Sequence, residues 1–299
     1  MKKKGFTLIE LLVVIAIIAM LMGILMPALA RVRALAQRVV CGSNARSIGT
    51  ALMLYVNDDE DESMPIGYDW SLDDPEDWDR WKDTGGSYAV ATISSSLYLL
   101  VRGEYTTSDQ FICKGEGSTP VDIGKFYNVD PANRPEDLSE AWDFGNATKK
   151  AKLHPATHNS YAYQMPYPNN SGKSHPASTG SNSNLAILAD LNPYIEDKEI
   201  IGNEDFDDDS DKATRKQNSL SHQQDGQNVL YIDGHVKFST RPTVGVEDDN
   251  IYTYWQEDNM DPMSNPDWHE VGDIPTYLTP GLSVPVKDDD SLLLNDEKP

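Results

Sequence analysis

The chain has 299 residues and a formal net charge of -23 at pH 7, from 48 acidic and 25 basic side chains. This acidic composition argues against nucleic-acid binding through a basic surface. It favours a soluble surface whose negative charges repel other copies of the chain. The length and the hydrophobic content of 39% are enough for one globular domain beside a long apolar N-terminal segment.

The N-terminal segment is the most informative part of the sequence. Three lysines at residues 2–4 precede the string GFTLIE at residues 5–10, and residues 11–30 carry no charged side chain. Twenty helical residues extend for about 30 Å, which matches the hydrocarbon core of a bilayer. Glu10 is unusual because a carboxylate is unfavourable in such a segment unless another group pairs with it. This segment is therefore predicted to enter a membrane.

The basic leader followed by GFTLIE resembles the class 3 signal of type IV prepilins and type II secretion pseudopilins. The resemblance implies that a prepilin peptidase/methyltransferase cleaves after Gly5 and methylates the new N-terminus at Phe6. It also implies that Glu10 meets the N-terminal amine of a neighbouring subunit, since opposite charges are tolerated as a pair in lipid. A proline is common in pilins at the place of Pro27, where a lost hydrogen bond allows the helix to kink.

Two other interpretations of the N-terminus stay open. Residues 28–30 (Ala-Leu-Ala) form an acceptable small-x-small site for a cleaved secretory signal. Such signals have an apolar core of about 7 to 15 residues, however, and Glu10 would fall inside it. The second interpretation is an uncleaved anchor. In both membrane-bound cases the lysines at residues 2–4 place the N-terminus in the cytoplasm and the globular domain beyond the inner membrane.

Beyond residue 30 the helix is predicted to continue to about Asn57 as an amphipathic segment, because apolar or small residues recur every three or four positions. The predicted buried stripe is Val32, Leu35, Val39, Gly42, Ala45, Ile48, Leu52 and Tyr55. The chain has two cysteines, Cys41 and Cys113. An extracytoplasmic compartment would allow them to form a disulfide between helix and domain. The alternative is that Cys41 is simply a small apolar residue of the buried helix face.

The middle of the chain gives weaker signals. Residues 58–83 are acidic and rich in tryptophan, which indicates an ordered surface loop. A second short helix is predicted at residues 88–101, a short strand at residues 109–113 and a mobile loop at residues 169–184.

Strand signals follow at residues 185–190, 228–232 and 235–239. Asp233 and Gly234 lie between the last two and favour a two-residue type I′ turn, which needs positive φ at both positions. The predicted fold class is α+β and pilin-like, with the long N-terminal helix packed on an antiparallel β-sheet.

The stretch from His222 to Asp233 and Gly234 resembles the H-X9-DG element of a large group of prepilin-like proteins, with ten intervening residues instead of nine. The extra residue predicts a bulge or a longer turn before the strand. A metal or hydrolase centre of His222, Asp225, Asp233 and His235 is the alternative, but no nucleophile elbow or HExxH string accompanies them. We therefore predict no catalytic residue and no enzymatic activity.

An acidic run supplies a candidate cation site. Its alternating carboxylates are Asp205, Asp207, Asp209 and Asp211. The run copies the first half of an EF-hand loop, but Ser210 stands where the turn needs glycine and Lys216 where the final glutamate belongs. Because major pseudopilins bind calcium in a loop of the globular domain, calcium is a candidate ligand, and a solvated acidic loop is the alternative. No cofactor is required.

The sequence thus predicts a leader at residues 1–5, a transmembrane and assembly helix at 6–30, its amphipathic half at 31–57, a globular domain at 58–279 and a disordered acidic tail at 280–299. The expected function is a structural subunit of a type IV pilus-like filament or of a type II secretion pseudopilus. Its expected partners are the prepilin peptidase, other pilin or pseudopilin subunits and the inner membrane. The alternative is a membrane-anchored extracytoplasmic module that binds a glycan or an exported substrate through Trp70, Trp78, Trp81 and the tyrosines near Tyr161.

Overall fold

The long N-terminal helix α1 (Leu8–Asp58) dominates the computed structural model of the chain. Its 51 residues extend for about 77 Å at the rise of an α-helix. It is continuous through Pro27 and ends within the run Asn57-Asp58-Asp59 that was expected to end it. The structure describes residues 8–60, 62–67, 92–122, 137–141, 143–145, 155–166, 176–196, 216–255, 285 and 287–295.

The rest of the described chain buries only the C-terminal part of α1. The buried residues are Cys41, Ala45, Ile48, Gly49, Ala51, Leu52 and Val56. The predicted stripe is wrong in its first half, because Val32, Leu35 and Val39 are 58–65% exposed. The periodicity of a helix shows which face is apolar, but it does not show where along the helix a partner begins to cover that face.

Within the described residues, five strands form one sheet against α1. They are β1 (Tyr161–Gln164), β2 (Ala186–Asp190), β3 (Gln227–Tyr231), β4 (Val236–Ser239) and β5 (Leu293–Leu294). Their order across the sheet is β4-β3-β2-β1-β5, and every neighbouring pair is antiparallel. The strands β2, β3 and β4 agree with the predicted runs within a residue or two, and the helix-plus-sheet architecture confirms the α+β class.

Both faces of this sheet are apolar, because side chains alternate between the faces along each strand. The face toward α1 contributes Tyr161, Tyr163, Leu188 and Leu230 to the main core. The opposite face contributes Ala162, Ala189, Val229 and Leu293 to a smaller core with Ile251 and Tyr252. The inner strands are therefore buried on both sides and lack the apolar-polar alternation of a half-exposed strand.

β3 and β4 form the predicted hairpin, but its turn is not of the expected type. Of the two residues Asp233 and Gly234, only Gly234 has positive φ, at +85°. The Gly234 amide donates a hydrogen bond to the Tyr231 carbonyl (2.9 Å), and the Tyr231 amide donates to the His235 carbonyl (3.0 Å). The connection is therefore a three-residue loop that ends in a glycine bulge.

A second helix, α2 (Ile93–Arg102), occupies most of the segment predicted to be helical, and a short helix α3 (Pro193–Glu196) follows β2. Thr92 caps α2: its hydroxyl oxygen accepts from the Ser95 amide (3.0 Å), and the Ser95 hydroxyl oxygen accepts from the Thr92 amide (3.2 Å). The Thr92 and Ser94 hydroxyls donate to the two carboxylate oxygens of Asp143. These side-chain bonds fix the start of α2.

Two predicted elements are wrong. The expected strand at residues 109–113 is a 3-10 helix at Ser108–Phe111, in which the Ile112 amide donates to the Asp109 carbonyl (3.3 Å). The tail from residue 280 was expected to be disordered, yet residues 287–295 are described, Leu292 is buried and Leu293–Leu294 forms β5. Burial of three leucines outweighs the acidic residues before them, because they extend the sheet beside β1.

Candidate assembly helix and its junction with the sheet

The N-terminal half of α1 presents an uninterrupted apolar surface. An 18-residue stretch of the helix has a mean hydropathy of 3.0, and none of it is buried by the described chain. From Leu8 to Leu29 the large apolar side chains are 45–80% exposed, on every side of the helix. By length and composition this segment is able to cross a membrane. An apolar surface of this size needs cover from lipid or from other protein chains.

Glu10 is the one acidic residue in this apolar half of α1, and its side chain is exposed. The predicted cleavage and methylation sites, Gly5 and Phe6, lie outside the described residues. A carboxylate on an apolar helix is unfavourable in lipid unless a cationic group pairs with it.

Pro27 introduces one weak point into the same half of the helix. Its ring nitrogen carries no hydrogen, so the carbonyl of Gly23, one turn earlier, receives no hydrogen bond from that position. The helical path nevertheless continues through it without a break. The kink predicted at Pro27 stays a prediction for the chain in its assembled state.

A disulfide between Cys41 and Cys113 fastens α1 to the globular domain. Both cysteines are fully buried, and their Cα atoms are 5.2 Å apart. Hydrogen bonds flank the disulfide: the Asn44 side-chain amide donates to the Ile112 carbonyl (3.0 Å), and the Tyr161 hydroxyl donates to the Cys41 carbonyl (3.0 Å). Burial, and next the nearby charge of Asp190, raises the pKa of Tyr161 well above its usual value. The tyrosine therefore stays a neutral donor.

Two glycines let α1 approach β3 closely. A Cβ on Gly42 would lie 2.8 Å from Oδ1 of Asn228, and a Cβ on Gly49 would lie 2.8 Å from Cδ1 of Leu230. Both distances are shorter than a packed Cβ allows. α1 therefore presents small residues to the sheet at these two positions. A larger side chain at either position would push the helix and the sheet apart.

Arg38 lies between the exposed N-terminal half of α1 and the part that the domain buries. Its guanidinium carbon is 3.9 Å from the ring centre of Phe238, and its Nη2 is 3.3 Å from Oδ2 of Asp225. The ring and the carboxylate both attract the cation, although partial exposure of Arg38 and Asp225 weakens the ion pair.

His222, the first residue of the H-X9-DG-like element, is held beside the disulfide by an uncommon turn. His222, Gln223 and Gln224 have successive φ values of 54°, 61° and 60°, a left-handed conformation that residues other than glycine seldom adopt. Nε2 of His222 lies 3.6 Å from Sγ of Cys113 and 3.4 Å from Oδ2 of Asp190. Sequence reasoning missed this contact, because no local pattern relates residue 222 to residues 113 and 190.

The other end of the element lies at the tip of the β3–β4 hairpin. Oδ1 of Asp233 accepts a hydrogen bond from the His235 amide (3.0 Å), and the His235 ring stacks on Tyr231 at a centroid distance of 4.3 Å. The bond from the His235 amide is the main cause that lowers the pKa of Asp233. His222 precedes β3 and His235 follows it, so the structure does not bring the two histidines into one metal or hydrolase centre.

A second buried polar site contains two carboxylates. The Trp255 indole donates to Oδ1 of Asp249 (2.7 Å), and the Trp255 amide donates to Oδ2 of Asp290 (3.2 Å). Both aspartates are fully buried. Burial, followed by the charge of Asp290, raises the pKa of Asp249 well above its usual value. No local pattern predicted this pair, because the two residues come from distant segments.

Two sequence predictions fall outside the described residues. The candidate calcium ligands Asp205, Asp207, Asp209 and Asp211 are among them. So are Trp70, Trp78 and Trp81 of the alternative binding module. Tyr161, which was predicted to act with them, is fully buried and is therefore not a binding surface.

The comparisons with known proteins bear on the N-terminus. A family described as the prokaryotic N-terminal methylation motif matches residues 1–26. No curated protein matches the chain, and no solved structure does. The matched residues include the basic leader, GFTLIE and most of the apolar half of the helix, and the motif implies processing by a prepilin peptidase. The chain therefore carries the N-terminal methylation motif at residues 1–26, and its N-terminus and its α+β architecture are similar to those of type IV prepilins and pseudopilins.

Proposed function

We propose that the chain is a structural subunit of a type IV pilus-like filament or of a type II secretion pseudopilus. One observation carries this proposal: the methylation motif leads into an apolar half-helix of which the described domain buries nothing. Lipid covers such a helix before assembly, and the helices of neighbouring subunits cover it afterwards. The globular domain is then displayed on the outside of the assembly.

Glu10 supplies the axial register in this proposal. The amine that cleavage creates at Phe6 is a cation in a medium of low dielectric constant, where an unpaired charge is unfavourable. Pairing with Glu10 of a neighbouring subunit removes two unfavourable charges at once. Staggers that leave the pair apart keep both penalties, so the pair selects one stagger between subunits.

The position of the domain follows from the same proposal. The lysines at residues 2–4 remain cytoplasmic, and the domain that follows α1 lies in the periplasm or on the cell surface. Its partners are the prepilin peptidase/methyltransferase, other subunits of the same kind and the inner membrane.

The first test is intact-mass and N-terminal analysis of the protein from its native membrane. A chain that begins at Phe6 with one added methyl group is the expected result. A chain that begins at Arg31 would identify a secreted domain, and one that retains Met1 would identify a plain anchor. Either of these would remove the basis for assembly through Glu10.

The second test separates processing from assembly. Glu10→Gln removes the charge but keeps the size, so the variant is expected to be cleaved and inserted normally yet to be lost from filaments sheared off cells. Glu60→Gln is the matched control, because Glu60 is also exposed but lies beyond the end of α1. Normal filament yield from Glu10→Gln would contradict the assembly role.

A further inference from the structure

A mixed set of metal-binding side chains surrounds the disulfide. The sulfurs of Cys41 and Cys113 and a ring nitrogen of His222 lie within 4.8 Å of one another, and all three residues are buried. Bond lengths of about 2.3 Å to sulfur and 2.0 Å to nitrogen place neighbouring donors of a tetrahedral zinc site about 3.3–3.8 Å apart. The distance of 3.6 Å between Sγ of Cys113 and Nε2 of His222 falls in this range.

A carboxylate stands beside the same ring nitrogen. Oδ2 of Asp190 is 3.4 Å from Nε2 of His222, and the Asp190 side chain is fully buried. The Asn228 backbone amide (2.7 Å) and side-chain amide (3.2 Å) donate to this oxygen and fix its orientation. Oδ1 of Asp190 receives no hydrogen bond from any described residue. A nearby cation would satisfy a buried carboxylate oxygen of this kind.

The turn that carries His222 adds to the geometry. Its imidazole lies beside the sulfur of Cys113, and His222 is the first of three successive residues with left-handed backbone conformation. A backbone in a sparsely populated conformation persists where the surrounding structure holds it, and such sites are often functional. The imidazole lies 6.3 Å from the Phe238 ring, which borders the site on the side of β4.

We propose that the reduced protein binds one Zn²⁺ ion through Cys41, Cys113 and His222, beside the buried carboxylate of Asp190. The disulfide and the zinc site are then two alternative states of one junction between α1 and the domain. Two thiolates and one imidazole are donors that suit zinc, and the nearby carboxylate balances the charge of the ion. Both states connect α1 to the segment after Phe111. The zinc proposal does not depend on filament assembly.

The exchange between the two states balances in atoms and electrons. A dithiol reductant transfers two electrons and two protons to the Cys41–Cys113 bond, which becomes two thiols while the reductant becomes a disulfide. Zn²⁺ then displaces the two thiol protons and binds neutral His222 through Nε2. Reoxidation by a disulfide reverses both steps and releases the ion.

The test uses the full chain in detergent, reduced with dithiothreitol, freed of reductant under argon and titrated with Co²⁺. We expect two titratable thiols per chain, one bound Co²⁺ with the absorption bands of a tetrahedral thiolate complex, and displacement by one Zn²⁺. The oxidised protein should bind neither ion at this site.

Variants assign the donors. His222→Ala is expected to weaken Co²⁺ binding about 100-fold, and Asp190→Asn about tenfold. His222→Gln repeats the first test with a larger side chain, in case alanine disturbs the left-handed turn. His235→Ala is the matched control, because His235 lies at the hairpin tip, and it should bind Co²⁺ like the wild type.

Three results would overturn the proposal. Undiminished binding in both His222 variants would show that the thiols hold the ion without the imidazole. Absence of binding after two thiols have been titrated would show that the junction is not a metal site. A folded chain whose disulfide dithiothreitol does not reduce would show that the second state is not reached.

Discussion

Gly226 is the residue of the H-X9-DG-like element whose replacement tests the local backbone most directly. Its φ is +145°, a conformation that residues with a Cβ rarely adopt. A Cβ would overlap the Ser239 carbonyl oxygen and would lie 2.8 Å from Cζ of Phe238. The Ser239 carbonyl belongs to the backbone of β4, which is paired with β3, so it cannot move aside without disturbing the sheet.

The expected cost of Gly226→Ala follows from these two effects. A side chain in such a backbone region costs about 1–3 kcal/mol, and overpacking costs about as much again. We therefore expect the free energy of unfolding to fall by about 4 kcal/mol. In a protein of this size that corresponds to a decrease in Tm of about 10 °C.

Gly234→Ala is the matched control for this prediction. Gly234 also has positive φ, +85°, but no atom lies within 4 Å of a Cβ built there. Only the backbone cost of about 1 kcal/mol is then expected. Urea unfolding of the full chain in detergent, followed by tryptophan fluorescence, measures both variants. The reasoning fails if Gly226→Ala destabilises the protein no more than Gly234→Ala does.

Three further predictions concern the junction and the buried acids. Replacement of Cys41 and Cys113 by alanine should lower the free energy of unfolding by about 4 kcal/mol, because the bond closes a 72-residue separation; reductant should then have no effect on the variant's unfolding curve. Gly49→Val should destabilise the protein by about 2 kcal/mol in the same assay because it presses on Leu230, whereas Thr50→Val, on the exposed side of α1, should change little. The pKa of Asp249 is raised in the folded state, so its protonation stabilises the fold fully below the unfolded pKa of about 4, and this contribution is lost as pH rises toward the folded value. Asp290→Asn removes the neighbouring charge, so the loss of unfolding free energy near pH 7 should be smaller by about 1 kcal/mol. Asp248→Asn is the control, because Asp248 is exposed. If the stability of Asp290→Asn depends on pH as the wild type does, the charge of Asp290 is not the cause.

The elements that the sequence predicted well are those with a strong local pattern. The apolar run and the three-to-four spacing define α1, and β-rich runs around Asp233 and Gly234 define the hairpin. The turn type was wrong because Asp-Gly fits a three-residue loop with a glycine bulge as well as a two-residue turn. Both loops need positive φ at glycine, and the sequence cannot distinguish them.

The elements that the sequence missed depend on distant partners. β1 is four residues long and buried on both faces, so it has no alternation to detect. Leu292, Leu293 and Leu294 follow an acidic run and gain their burial only from β1 and from the core residues of other segments. Ser108–Phe111 contains too few residues to separate a 3-10 turn from a strand by pattern.

The same reason explains what was missed at the junction. The side chains that meet there come from positions 41, 113, 190 and 222, and a left-handed turn sets the direction of the last one. Turn conformations of this kind are chosen by tertiary contacts, because residues such as His and Gln have no local preference for them. The methylation motif at residues 1–26, by contrast, is recognisable from sequence because all of its residues lie in one continuous string.

Under the proposed filament function α1 leaves lipid during assembly, and the position of the junction along the helix then matters. Apolar packing alone resists sliding weakly, because a shift of one turn exchanges one set of apolar contacts for another. The Cys41–Cys113 bond and the Asn44–Ile112 hydrogen bond each require one axial position, and they lie at the N-terminal limit of the buried face. Force on the exposed half of the helix would therefore reach the domain at Arg38 and then at these fixed contacts, before it reaches the apolar core around Ile48 and Leu52. Bending at Pro27 would then be confined to the part of α1 that the domain does not hold.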